Sequence, residues 1–235
     1  MNVGIMQPYL LPYIGYFQLI ASVDQFVVYD NIKYTKKGWI NRNRFLLNGK
    51  DSLFTVPLRA ASDSADVVDR HLASDFQPKN LLNRLEGAYS KSPYFKQTFP
   101  ILEKIFRYAA SNLFDFNLHS IDVVSKHLGI ETTLITSSSI ACNHQLTGQD
   151  RVIEICRALG GTSYTNPPGG MSLYSAAEFR KHDIELRFLR SKPVQYRQFE
   201  NAFVSDLSIV DVLMFNPLSE VKRLVLEHVE RIQCD

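Results

Sequence analysis

The segment "VGIMQPYLLPYIGYFQLIASVDQFVVYD", residues 3–30, restricts the fold more than any other part of the chain. "VGIM" reads as a short buried strand, and Pro8 and Pro12 forbid both helix interior and central strand pairing in the residues that follow. A fixed, extended loop results. Ile14, Phe17 and Ile20 or Ala21 then recur at helical spacing, and Asp24 precedes an apolar strand over 26–29. Strand, loop, helix, strand predicts a parallel βαβ unit. Its loop and Asp30 fall at the carboxyl ends of the strands, where open α/β sheets bind ligands.

Downstream, Asn48 and Gly49 between two apolar runs predict a hairpin beside this unit, and therefore a mixed sheet. A polar loop at 60–66 leads to an edge strand over "DVVDRHLA", and residues 77–128 hold three helical runs, with Pro93 near a start and Gly129 as a cap. "IETTLITSS" predicts a strand; Thr147 and Asp150 open a helix that Gly160 stops; "TSYTN", "SLYSAAEFRKH" and "IELRFL" read as strand, helix and strand. The tail reads as two helices separated at Asn216 and Pro217, the second placing Val221, Leu224, Val225 and His228 or Val229 on one face. The expected architecture is one α/β domain over 1–235. It has a mixed, largely parallel Rossmann-like sheet flanked by helices, a helical segment at about 77–128 inserted between two α/β halves, and a helical C-terminus.

Composition narrows the function classes. The 235 residues are 45% hydrophobic and 21% charged with a net charge of +2, which favours a globular chain and argues against a global preference for nucleic acid. The proline-broken N-terminus lacks the basic start of a secretory signal, and no window offers about eighteen uninterrupted apolar residues, so a cytoplasmic protein without a membrane span is expected. Cys142, Cys156 and Cys234 show no CxxC spacing and read as packing thiols of a reducing compartment. The six histidines form no HExxH or other metal-ligand spacing, and there is no GxSxG, GxxxxGK[ST] or GxGxxG. No metal or dinucleotide cofactor is indicated.

Three stretches carry candidate chemistry. Gln7, Tyr9, Tyr13, Gly15 and Tyr16 sit at the first strand-to-helix turn, where a bare glycine lets a ligand approach the helix start; the alternative is that the tyrosines fill a gap between sheet and helix. The stretch after Asp30 carries Lys33, Lys36, Lys37, Arg42 and Arg44 with Asn41, Asn43 and the single Trp39. Asp30 is the only acid close in sequence, so these cations cannot all be paired. They suit an anion, with amides for sugar hydroxyls or a base edge and an indole for stacking. The acidic "ASDSADVVDR" downstream does not extend the patch, so a compact anionic ligand is favoured over nucleic acid. In the second loop, Asn166, Gly169, Gly170 and Tyr174 form either a ligand-binding turn rich in backbone amides or a rigid packing turn. Asp30 is the candidate base, or else a partner of the following lysines. Asp211, in an apolar helical run, needs a buried partner.

Taken in order, "MQPYLLPYIGYFQLI", Asp24, "FVVYDNIKYTKKGWINRNRF", "AYSKSPYF", "NLFDFN", "YTNPPGG" with "LY", and "LSIVDVLMFN" resemble the WbqC-like family over nearly the whole chain. The resemblance implies a cytosolic protein of O-antigen or other polysaccharide biosynthesis acting on a nucleotide-linked sugar. The implied activity is that of a transferase adding an acyl or aminoacyl group, such as glycyl, to an amino sugar. ATP, a carrier thioester or an aminoacyl-tRNA could supply the activated donor. The alternative is a non-catalytic module of the same pathway that binds glycan or a partner.

Overall fold

The computed structural model describes residues 1–200 and 202–233; Cys234 lies outside the described residues. Alternating apolar residues on two short strands build the sheet from its middle outward. β1 (Asn2–Met6) leads through α1 (Ile14–Ala21) to β2 (Gln25–Val28), which pairs with β1 in parallel. Val3, Ile5 and Val27 face one core while Phe26 and Val28 face the other, the two-residue period of a strand buried on both sides. Gly4 makes room between them, since a Cβ there would stand 3.1 Å from the Phe26 ring.

β3 (Arg42–Leu47) and β4 (Lys50–Thr55) form the expected hairpin, turned by Asn48 and Gly49 at φ 51° and 75°. The hairpin does not join the main sheet, however. It stands as a separate two-stranded sheet whose Phe45 and Phe54 pack into the larger core. The expected edge strand over 66–73 is also absent. Val67–Asp69 form a 3-10 turn, and the Val67 and Val68 amides donate to the carbonyls of Ile32 and Asp30 at 2.8 and 3.0 Å. Spent on clamping the basic loop, these groups make only single bridges rather than a ladder.

The helical insert comprises α2 (Pro78–Tyr89), α3 (Phe95–Phe106) and α4 (Leu113–Leu128). The Asn112 side chain caps α4 by accepting from the amides of Phe114 and Asp115, and Gly129 at φ 72° ends it. The second half follows as β5 (Thr133–Thr136), α5 (Gly148–Ala158), β6 (Ser163–Asn166), α6 (Ala176–Arg180) and β7 (Glu185–Ser191). The chain closes with α7 (Ile209–Phe215), α8 (Leu218–Glu227) and β8 (Val229–Gln233). The two helices of the expected helical C-terminus form, divided at Asn216 and Pro217, and one short strand that was not expected follows them. Past Glu227 the open edge of β7 offers backbone partners, and β8 pairs with it antiparallel, with Arg190 and Glu230 joined across the pair at 2.9 Å. The mixed character of the sheet comes from β8 rather than from the hairpin.

The sheet order is β5-β2-β1-β6-β7-β8, parallel except for β8. The first half winds outward from β1 and the second outward from β6, so the order reverses between these two central strands. Such a reversal splays the loops leaving the two carboxyl ends and opens a crevice between them. Gln18, fully buried in α1, donates to the carbonyls of Leu224 and His228 at 2.8 and 3.2 Å and pins the end of α8 to α1. Among the described residues, no helix is long and apolar enough to cross a membrane.

Candidate functional site

The crevice at this reversal has a volume of about 520 Å³. One wall is the loop after β1, with Met6, Gln7 and Tyr9; the other is the turn after β6, with Asn166, Gly169, Gly170 and Tyr174. Tyr29, Ile32 and Lys33, which follow β2, complete the lining, and Leu173, 69% exposed, stands at its rim. The two loops singled out in the sequence therefore do meet over one hollow, because β1 and β6 are neighbours. Gly170 is buried with no room for a side chain: a Cβ would lie 1.9 Å from the Asn166 Nδ2 and 3.0 Å from the Tyr174 ring. Gly169 beside it faces open space. Neither adopts the left-handed backbone expected of a glycine-only turn; the segment Pro168–Leu173 is a 3-10 helix.

Buried polar side chains fix the first loop. Asn43 Nδ2 donates to the carbonyls of Leu10 and Leu11, both at 2.9 Å, and its Oδ1 accepts from the Arg44 amide. Ser208 Oγ donates to the Leu11 carbonyl at 2.6 Å, and Asn117 Nδ2 to the carbonyls of Pro8 and Ile40 at 2.8 and 2.7 Å. Leu11, fully buried at φ 41°, is held in a conformation that leucine avoids by these bonds and by its packing. Asn41 is likewise committed, accepting from the Tyr34 hydroxyl and donating to the Val56 carbonyl. Asn41 and Asn43 were expected to read a ligand's hydroxyls; in the structure both amides donate to buried backbone carbonyls.

The basic stretch does not act as one patch. Lys33 reaches the crevice, whereas Lys36 pairs with Asp63 at 2.7 Å on the open surface and Arg44 lies 3.5 Å from Asp51. Those acids come from later segments that fold back onto the loop. Arg42 turns inward on its own loop, donating to the carbonyls of Gly38 and Lys37 at 3.1 and 2.5 Å. Arg44 and Trp39, with Tyr9, Pro12, Tyr13, Asn43 and Asp206, line a second hollow of about 260 Å³, and the Arg44 guanidinium lies 5.4 Å from the indole centroid. Tyr9 borders both hollows.

Tyr16 is buried and donates to the Gln7 carbonyl at 2.9 Å, which makes it a support of the loop rather than a ligand contact. The space above Gly15 is filled by the Tyr13 ring, whose atoms would come within 2.4 Å of an added Cβ. The glycine thus seats Tyr13 where a ligand was expected. Burial pushes the Tyr9 and Tyr13 hydroxyls above their ordinary pKa, so both are neutral hydrogen-bonding groups at neutral pH.

Asp30 follows β2 as expected, yet it is buried and does not line the crevice. Its carboxylate accepts from the Ser137 hydroxyl at 2.6 Å and the Ser138 amide at 2.9 Å. Burial pushes its pKa up, but these hydrogen bonds outweigh burial and hold it below the ordinary carboxylate value. Such a carboxylate is a poor proton acceptor for a substrate amine. Next to it, His144 shares Nδ1 with the Asn31 amide at 3.1 Å and Nε2 with the Ile140 carbonyl at 3.0 Å, while Arg151 donates to the Asn31 carbonyl at 3.0 Å. These groups brace the chain after β2. Among the described residues no group of three His, Cys, Asp or Glu side chains is placed to hold a metal ion.

Sequence reasoning missed Tyr29, Ile32 and Leu173 as lining, Asn117 and Ser208 as loop fasteners, and Asp206 as a pocket residue. Only Ser208 carried a local signal, as a capping residue before the apolar run of α7.

The fold is that of a doubly wound α/β protein with a crevice at its strand-order reversal. The chain belongs to the WbqC-like protein family, which it matches over residues 7–223. It is 29% identical over 218 residues to the uncharacterized protein Rv1507c of Mycobacterium tuberculosis, an alignment covering 92% of this chain and 93% of that one. No solved structure matches it.

Proposed function

We propose that the crevice between the β1 and β6 loops binds a nucleotide-linked amino sugar and that the protein is a transferase of O-antigen or surface-polysaccharide biosynthesis. The observation that carries this reading is the convergence of Gln7, Tyr9, Lys33, Asn166 and Tyr174 on one hollow at the strand-order reversal, where α/β sheets take nucleotides. Lys33 supplies a mobile positive charge for a diphosphate, and the Gln7 amide offers both a donor and an acceptor for hydroxyls. In the proposed reaction the free amine of the sugar attacks an activated acyl or aminoacyl carboxyl. The new amide bond forms as the bond to the donor's leaving group breaks, and the amine's proton passes to that departing group. Activation by ATP, a thioester carrier or an aminoacyl-tRNA is compatible with this scheme.

A second reading, a non-catalytic sugar-binding module, draws support from one observation. The described crevice lining includes no carboxylate, imidazole or thiol, leaving Lys33 and three tyrosines as its titratable groups. The two readings separate by experiment. The protein is titrated calorimetrically with a panel of UDP- and dTDP-linked amino sugars, and the bound sugar is then incubated with candidate donors and followed by mass spectrometry. Binding that weakens in Lys33→Ala, with a mass gain on the sugar amine, supports the transferase; binding without a mass gain supports the module. Absence of binding across the panel contradicts both.

A further inference from the structure

Arg44 and Trp39 belong to the stretch expected to hold an anion, but the second hollow that they line has a different chemistry. Tyr9, Tyr13 and Trp39 form aromatic walls around about 260 Å³, the volume of a single ring rather than of a whole nucleotide sugar. Trp39 and Tyr13 are 36% and 38% exposed, large aromatic surfaces left facing solvent beside the hollow. The charges there are balanced. The Arg44 guanidinium lies over the indole and donates to the Asp206 backbone carbonyl at 3.2 Å, while the exposed Asp206 side chain lines the hollow with a carboxylate that accepts from the Ser205 hydroxyl at 2.8 Å. Asp206 itself is held at φ 57°, a conformation few residues accept, by a loop that Arg44 ties down.

A carboxylate accepts hydrogen bonds from hydroxyls, a guanidinium donates to them, and the C–H faces of a saturated ring pack on the electron-rich faces of aromatic rings. A diphosphate would meet the Asp206 charge at close range. A neutral polyhydroxylated ring satisfies every wall of the hollow. We propose that the Tyr9–Tyr13–Trp39–Arg44–Asp206 hollow is a carbohydrate subsite that takes one pyranose ring, with Asp206 accepting from its hydroxyls. The inference rests on the crevice reading only in treating Tyr9 as a wall shared by two parts of one substrate path.

Trp39 is the only tryptophan in the chain, so its fluorescence reports on this hollow directly. The test titrates the full-length protein with methyl glycosides of N-acetylhexosamines, with UDP-N-acetylglucosamine and with UMP, reading indole emission. The expected result is a saturable emission change with the methyl glycosides and the nucleotide sugar but not with UMP, weakened at least tenfold in Asp206→Asn, which tolerates the same backbone conformation. Calorimetry on Tyr13→Ala, a partly exposed position, checks the aromatic wall without relying on the Asp206 loop. An emission change with UMP alone, or no change with any glycoside, overturns the subsite. Nucleotide-sugar binding that leaves Trp39 silent refutes the subsite and spares the crevice reading. A glycoside response with no nucleotide-sugar binding does the reverse.

Discussion

Asn43 donates from one side-chain nitrogen to the carbonyls of both Leu10 and Leu11, bridging sequence separations of 33 and 32 residues. Through that contact the hairpin sets the shape of the proline loop, and the loop in turn places Tyr9 between the two hollows. Replacing Asn43 by Ala leaves the Leu10 carbonyl and the Arg44 amide without their partner and removes one of two bonds from Leu11. Leaving buried polar groups unpaired in this way is expected to cost about 2–4 kcal/mol. Urea unfolding of Asn43→Ala, with Trp39 emission as the local probe, checks both the stability loss and the loosening of the loop. A variant as stable as the parent would show that the loop holds its shape without this bond.

Asp211 is a buried carboxylate that forms no ion pair among the described residues. It accepts from the Tyr89 and Tyr196 hydroxyls at 2.9 and 2.7 Å and from Gln198 at 2.6 Å. Burial pushes its pKa up, and these three donors only partly offset that. A pKa raised above the unfolded value of about 3.9 means that protonation favours the folded state. This contribution is fully present below the unfolded value and is lost as pH rises through the folded one. Asp211→Asn abolishes that pH dependence, which unfolding midpoints measured across the acid range will show. Asp211→Ala strands three buried neutral donors, each of which is expected to cost about 1–3 kcal/mol where it finds no other partner.

Asp30 behaves in the opposite sense. Its lowered pKa contributes stability above the unfolded value of about 3.9, and that contribution disappears as pH falls through the folded value. Ser137→Ala removes the 2.6 Å bond and raises the pKa of the carboxylate, with an expected loss of about 1–2 kcal/mol at neutral pH. The difference from the parent should shrink in acid. An NMR titration of the Asp30 carboxyl carbon that does not move on substitution would contradict the assignment.

Local patterns exposed most of the fold. The proline loop between two apolar strands, the Asn48–Gly49 turn and the Gly129 cap each act within a few residues of where they are written, and each forms as read. β8 was not legible, because its apolar residues continue the helical spacing of α8 and only the open edge of β7 makes them a strand. The site was half legible for a similar reason. Two α/β halves could be read from alternation, but the pairing of β1 with β6, the capture of Lys36 by Asp63, and that of Asn43 by the Leu10 and Leu11 carbonyls join groups far apart in sequence. A side chain rich in donors looks like a ligand contact until the backbone it fastens is known. Asp206 escaped notice because nothing in its neighbours in sequence marks it.

The claim that the β1–β6 crevice is the ligand site is tested most directly by two adjacent glycines. Gly170→Ala drives a methyl group into Asn166 and the Tyr174 ring, whereas Gly169→Ala points into open space. Calorimetric titration of both variants and the parent with a nucleotide-linked amino sugar that the parent binds should show affinity near that of the parent for Gly169→Ala. A loss of about tenfold or more, roughly 1.4 kcal/mol, is expected for Gly170→Ala, with the circular dichroism spectrum unchanged. Equal affinity in all three proteins would place the ligand elsewhere and contradict the account.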